Sequence, residues 1–394
     1  MPRSLIKSCV AATFGLLISV LPAASFETRA STAFIIDQNT GTILLNKEAD
    51  IPLPPASMSK LMTLYMAFEA VREGRLSMTE TLPVSQNAMD YGGSTLFLRA
   101  GERVSVEDLI RGIIVLSGND ACVVIAEALS PDGTEAGFSR LMTRRAIEMG
   151  MTNSTFMNSN GWPQAGHLMS SRDLALLAHR LIADYPEFYP MFSEKEFLFD
   201  QKESQNRFNR NPLLGLGIGA DGLKTGHTQA AGYGLVGSAK QGTRRIIFVI
   251  SGLQSQADRA RESEAIVNWA FRQFAEADLI KADERLAEAP VWMGAEQKVG
   301  LVPAEDLTIL IPTLSGAEMS TEVVFDSPVN APITKGQKLG ELVVQPEGLP
   351  ELRVPLVAET DVSEGGFMVR MTAAAQVLFK QWQDNRNAGA EDAS

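Results

Sequence analysis

The sequence predicts an α+β protein. A larger domain of antiparallel sheet and helices is expected over residues 31–280, a small all-β domain over 285–362, and an amphipathic helix over 365–384. Three observations carry this reading. Short β-prone runs lie at both ends of the larger region and enclose helix-favouring segments. Near Pro290 the character changes to short alternating runs broken by Pro, Gly and Asp. The composition, 45% hydrophobic and 21% charged, is that of a globular chain long enough to bury two cores.

The elements follow in order. Residues 1–24 carry Arg3 and Lys7, an apolar run from Cys9 to Leu21, and then the small residues Ala23, Ala24 and Ser25. That is the pattern of a secretory signal peptide cleaved between 24 and 30, and the run is shorter than the roughly 20 residues a spanning helix needs. An exported protein is therefore expected, with Cys122 its sole remaining cysteine. That excludes an internal disulfide, and the apolar neighbours Ala121 to Ala126 predict a buried structural thiol.

Ala33–Ile36 and Thr42–Leu45 read as a hairpin around Asp37-Gln-Asn-Thr-Gly41. Pro52, Pro54 and Pro55 then delay a helix that starts near Ser57, runs through Leu61–Val71 and ends near Gly74. Further helices are expected at Val106–Leu116, Cys122–Leu129, Leu174–Ile182 and Arg259–Phe274. Gly232–Ser238 and Arg245–Ser251 read as paired strands, with Lys224-Thr225-Gly226 opening the first of them on an edge facing the helices. Leu307–Ile311, Glu322–Phe325 and Glu341–Gln345 are strands of the small domain. After Gly365-Gly366, residues Phe367, Met368, Met371, Ala374, Ala375, Leu378, Phe379 and Trp382 share one helical face, suited to a membrane interface. A polar tail, 385–394, closes the chain.

A net charge of -12 and a pI near 4.9 argue against nucleic-acid binding. His167, His179 and His227 are too scattered for a zinc-ligand spacing, and neither metal nor cofactor is expected.

The chemistry rests on three motifs in order: Ser57-Met-Ser-Lys60, Ser117-Gly-Asn119 and Lys224-Thr225-Gly226. The first two are individually weak, since Ser4-Leu-Ile-Lys7, Ser85-Gln-Asn87 and Ser204-Gln-Asn206 match the same patterns, whereas Lys-Thr-Gly occurs once. A serine hydroxyl needs an adjacent base. Lys60, one turn along the helix from Ser57, can serve if burial or the charge of Lys224 keeps it neutral. The helix N-terminus offers N–H groups to a developing oxyanion. Ser117 could relay a proton to the leaving amine, Asn119 could bond a substrate amide, and Lys224 with Thr225 could hold a carboxylate. His227 as a general base is the competing assignment. Arg210 reads equally well as a structural pairing residue and as a catalytic one.

Together with Phe97-Leu-Arg-Ala-Gly-Glu102, Leu116-Ser-Gly-Asn-Asp-Ala121, Asp221–Thr228 and Arg261-Glu-Ser-Glu264, these motifs make the chain resemble the D-alanyl-D-alanine carboxypeptidases. These are the low-molecular-mass penicillin-binding proteins similar to types 5 and 6, serine peptidase family S11. The resemblance extends to the β domain and terminal helix. It implies a β-lactamase/transpeptidase-like catalytic domain that removes the terminal D-alanine from peptidoglycan stem pentapeptides through an acyl-enzyme on Ser57, with β-lactams as covalent inhibitors. It implies that the N–H after Gly226, at His227, completes the oxyanion hole, that Arg261 supports the terminal carboxylate, and that the helix attaches the protein peripherally to the outer face of the cytoplasmic membrane, in the periplasm. The rivals are a DD-endopeptidase, a β-lactamase, for which no Glu-x-x-Leu-Asn lies between Ser117 and Lys224, and a noncatalytic penicillin or peptidoglycan sensor.

Overall fold

A computed structural model describes residues 26–200, 205–313, 319–346, 348–369 and 371. The signal peptide and the 385–394 tail lie outside these residues. Of the terminal helix, Phe367–Val369 and Met371 are described, and they are helical and exposed.

The chain opens with strands β1 (Thr32–Asp37) and β2 (Ile43–Lys47), the expected hairpin, in which Asp37 Oδ1 accepts from the N–H groups of Asn39 and Thr40. A 3-10 turn, Ala56–Ser59, runs directly into helix α1 (Lys60–Arg72). There follow β3 (Thr81–Pro83), the short helix α2 (Gln86–Met89), β4 (Arg103–Ser105) and α3 (Val106–Arg111). A π-helical stretch, Gly112–Leu116, extends α3, so the predicted 106–116 helix is present with a change of winding. Helices α4 (Asn119–Leu129), α5 (Glu135–Glu148) and α6 (Ser171–Asp184) complete this half, α4 beginning at Asn119 rather than at Cys122.

Strands β5 (Ala220–Thr228), β6 (Gly232–Gln241) and β7 (Arg244–Leu253) and helix α7 (Gln256–Gln273) then finish the sheet region. The sheet order is β2-β1-β7-β6-β5, all neighbours antiparallel. Lys224-Thr225-Gly226 lies within β5, a strand of its own at the sheet edge, instead of opening the Gly232–Ser238 strand. The turn at 229–231, between Thr228 and Gly232, is where the chain reverses.

Alternation places the two cores. Phe34, Val236, Ile247 and Val249 face the helical side with Leu61, Leu64 and Phe68, while Ala33, Ile35, Leu235, Phe248 and Ile250 face α7 at Ile266 and Val267. Because both faces are covered, Ile246–Ile250 is a continuous apolar run.

The predicted helix end at Phe274 is corrected by one residue: Phe274 opens β8 (Phe274–Ile280), which pairs antiparallel with β11. Residues 274–280 therefore pair with the later segment rather than with the larger sheet. That segment contains β9 (Ala287–Trp292), β10 (Lys298–Pro303), β11 (Leu307–Pro312), β12 (Met319–Phe325), β13 (Val329–Asn330), β14 (Lys338–Pro346) and β15 (Leu352–Ala358). Its six-stranded sheet has the order β12-β14-β15-β10-β9-β13 around Val299, Leu301, Val344 and Leu356.

The seam between the halves is packed. Leu44 and Trp269 meet Phe274, Leu310 and Leu349. Buried Arg244 donates to Asp37 Oδ2 at 2.7 Å and to the carbonyls of Ala270 and Phe274 at 2.9 and 2.6 Å, and so satisfies the end of α7. Among the described residues no helix is long and apolar enough to cross a membrane.

Candidate active site

Pro55, with φ -79° and ψ -13°, leads into the 3-10 turn, and Ala56 takes a left-handed φ of 51° immediately before Ser57. The spacing of three residues across that turn then sets Lys60 beside Ser57. Lys60 Nζ lies 3.0 Å from Ser57 Oγ and donates to the Asn160 carbonyl at 2.6 Å. Ser57 is partly exposed, whereas Lys60 is wholly buried.

Burial lowers Lys60 to about 8, with the Arg210 guanidinium acting in the same direction and Cys122, Asp120 and Glu135 opposing it. Sequence reasoning gave burial or Lys224 as the cause. Burial is the larger effect, and Arg210 is the cation that adds to it.

Ser117, in the break between the π turn and α4, is also left-handed, with φ 64°. Its Oγ accepts from Lys224 Nζ at 2.9 Å. Lys224 is held well below the usual lysine range, first by burial and then by repulsion from Lys60. Two buried ammonium groups this disposed do not both stay charged at little cost. Asn119, almost fully buried, donates to Gly92 O at 2.8 Å. The next residue anchors the loop: the Asp120 carboxylate accepts from the N–H groups of Leu96, Leu98 and Ala121.

On β5, Thr225 and Gly226 are buried. A Cβ at Gly226 would stand 2.9 Å from Pro55 O and 3.0 Å from Met58 Cγ, so only glycine lets this strand lie against the Ser57 turn. The opposite flank is equally tight, because a Cβ at Gly161 would reach 1.9 Å from Ala56 O. His227 is exposed and stacks on Tyr233 at a centroid distance of 3.9 Å. A cavity of about 70 Å³ borders the Ser57 turn at Pro55, Ala56, Trp162 and Thr228.

The structure thus brings Ser57, Lys60, Ser117, Asn119, Lys224, Thr225 and Gly226 together, with His227 next along the strand. Arg261 is the exception and lies apart from them. Its side chain is 67 % exposed and pairs with Asp258 at 2.5 Å, whereas Arg259 is 4 % exposed, lies over the Tyr233 ring and reaches the Arg210 carbonyl at 3.4 Å. Two helical residues apart is about 200° of rotation, so only one of the two can face inward. Arg210 itself bonds Ser94 Oγ at 2.6 Å.

The remaining histidine near the site is structural in its contacts. His167 Nδ1 accepts from Met157 N–H, Nε2 meets Ser59 Oγ at 2.7 Å, and burial, with Lys60, lowers it to about 4. Cys122 is buried as expected, and burial pushes its thiol up to about 12. Among the described residues no group of His, Cys, Asp or Glu could hold a metal ion. Sequence reading missed the Asn160 carbonyl and Glu135 beneath it. Neither had a detectable signal, since one is a backbone atom and the other lies 24 and 25 residues from its partners Ser159 and Asn160.

Known proteins are similar to this chain in sequence and fold. Residues 19–255 match the peptidase S11 family, described as D-alanyl-D-alanine carboxypeptidase, and residues 274–364 match the penicillin-binding protein 5 C-terminal domain. The chain is 36% identical over 356 residues to the D-alanyl-D-alanine carboxypeptidase DacC of Escherichia coli, covering 88% of each. A crystal structure of penicillin-binding protein 5 from Haemophilus influenzae superposes with a TM-score of 0.76 at 33% identity, covering 86% of this chain and 99% of that one. Penicillin-binding protein D2 of Listeria monocytogenes, in an ampicillin-bound form, superposes at 0.56 with 31% identity over 62% of this chain and 98% of that one.

Proposed function

The chain belongs to the peptidase S11 family of D-alanyl-D-alanine carboxypeptidases, a family that works through a serine acyl-enzyme and binds β-lactams, and from that premise we propose which of its residues do the work. Neutral Lys60 takes the proton of Ser57 as Ser57 Oγ attacks the carbonyl of the penultimate D-alanine. The N–H groups of Ser57 and His227 receive the oxyanion. Collapse of the tetrahedral species breaks the peptide bond. Ser117, bonded to Lys224, passes a proton to the leaving D-alanine amine, and water then hydrolyses the ester on Ser57. Asn119 bonds the acyl-side amide, while Lys224 and buried Arg259 supply the positive surface for the terminal carboxylate and Thr225 offers it a hydroxyl.

The single observation that supports the scheme most is the buried Lys60 amine 3.0 Å from Ser57 Oγ. The substrate in this reading is the stem pentapeptide of exported peptidoglycan. The protein works in the periplasm, held peripherally to the membrane by the 365–384 helix. Intact-mass analysis after penicillin treatment tests the nucleophile: wild type gains one adduct and Ser57→Ala gains none. A stoichiometric adduct on Ser57→Ala overturns the assignment.

A further inference from the structure

Lys60 bonds the Asn160 carbonyl, and that carbonyl sits in a loop with no strand or helix of its own to hold it. Within the loop Asn158 Oδ1 accepts from the N–H groups of Asn160 and Gly161 at 3.3 and 2.8 Å, and what ties residues 159 and 160 to a neighbouring helix on one side is a single carboxylate. Glu135 Oε1 accepts from Ser159 N–H at 2.9 Å, from Ser159 Oγ at 2.5 Å and from Asn160 Nδ2 at 3.3 Å, and Oε2 accepts from Tyr91 OH at 2.7 Å. Its own mount is firm, because Glu135 is the first residue of α5 and Thr134 caps that helix through Gly137 N–H. From the other side Thr63 Oγ1, on α1, donates to Ser159 O at 2.5 Å. The loop is therefore pinned between α5 and the helix that carries Lys60.

We propose that Glu135 is a positioning residue for the acylation step: by fixing residues 159 and 160 it keeps the Asn160 carbonyl where it aims Lys60 Nζ at Ser57. The proposal rests on the reading of Lys60 as the base. Glu135 touches no substrate, and its effect passes through Lys60. It acts in two separable ways. Its hydrogen bonds set geometry, and its negative charge favours the protonated Lys60.

The other groups that bear on Lys60 are Asp120 and the neutral Cys122 thiol on α4, Lys224 on β5, Arg210, and neutral His167. The Tyr91 hydroxyl, raised by burial and by its bond to Glu135, is neutral as well.

The two effects can be read separately from the pH dependence of penicillin acylation in the full chain. Glu135→Gln removes the charge and leaves one acceptor in place of two. Its plateau rate should fall by about 10-fold or more, because small misplacements of a reacting group are costly, and the midpoint of its rising limb should move to lower pH. Ser159→Ala removes one donor but keeps the charge, so its rate should fall while its midpoint stays. Adduct stoichiometry, measured in the same samples, reports the folded fraction and separates slow acylation from misfolding. If Glu135→Gln does not fold, Ser159→Ala carries the test alone. Stoichiometric acylation of either folded variant within twofold of wild type across the pH range overturns the proposal. Failure of wild type to acylate at all would instead refute the reading on which it rests.

Discussion

The protonation of Lys60 is open to direct measurement. An unperturbed lysine leaves about one amine in three thousand neutral at pH 7, whereas a group near 8 leaves about one in ten. Burial thus enlarges the reactive population by roughly 300-fold, at a folding cost on the order of 3 kcal/mol. The sign follows from proton counting. The folded pKa is lowered, so the unfolded chain binds more protons between about 8 and 10.5. The cost is fully present below that window and fades as pH rises through it. Acylation by penicillin, followed from pH 6 to pH 9.5, should climb about tenfold per unit at first and level off above about 8. The midpoint belongs to the Lys60–Lys224 pair, since removing one proton alters the other site. Arg210→Ala removes a cation that lowers Lys60 and should shift the midpoint upward. A rate independent of pH from 6 to 9 would refute the neutral-lysine mechanism.

Arg259→Ala should raise KM for a peptide with a free terminal carboxylate by about tenfold, while Arg261→Ala stays within twofold; the reverse ranking would restore Arg261. His167 is neutral in the fold down to about 4, whereas the unfolded chain protonates near 6.5, so its contribution to stability is present above 6.5 and lost as pH falls toward 4. Unfolding free energies at pH 7 and pH 4.5, from denaturant titrations, should therefore differ more for wild type than for His167→Gln, by up to about 3 kcal/mol; equal differences would reject this. Truncation after Glu364 should release the protein from membranes without changing penicillin acylation, and identical partitioning of both forms in cell fractions would reject the anchor.

The sequence made the architecture and the motif residues legible because both depend on local spacing. Ser57 and Lys60 are three apart on a helical turn, and the apolar runs of β1 and β7 declare buried strands. What it concealed depends on tertiary contact. The Asn160 carbonyl belongs to the backbone and leaves no mark in residue type. Glu135 looks like an ordinary acidic residue in a helix first turn, a position favoured by the helix dipole alone. Arg259 and Arg261 differ only in helical phase, and the phase of α7 is set by the sheet beneath it. The strand assignment of Lys224-Thr225-Gly226 failed because Gly226 and Gly232 sit on either side of a turn that a glycine-rich run does not localise.

The packed seam around Arg244 bears on where this chain can be cut. Family matches end at 255 and resume at 274, and helix α7 passes into β8 with no intervening residue, which invites a break at 273. Such a break would remove the Phe274 carbonyl from a buried guanidinium and bare Leu44 and Trp269 to water. A protein severed there would keep every residue of the catalytic cleft yet enter solution with a hydrophobic scar and an unfilled hydrogen-bond site, and would be prone to self-association. At this seam the smaller module serves as a wall for the larger one.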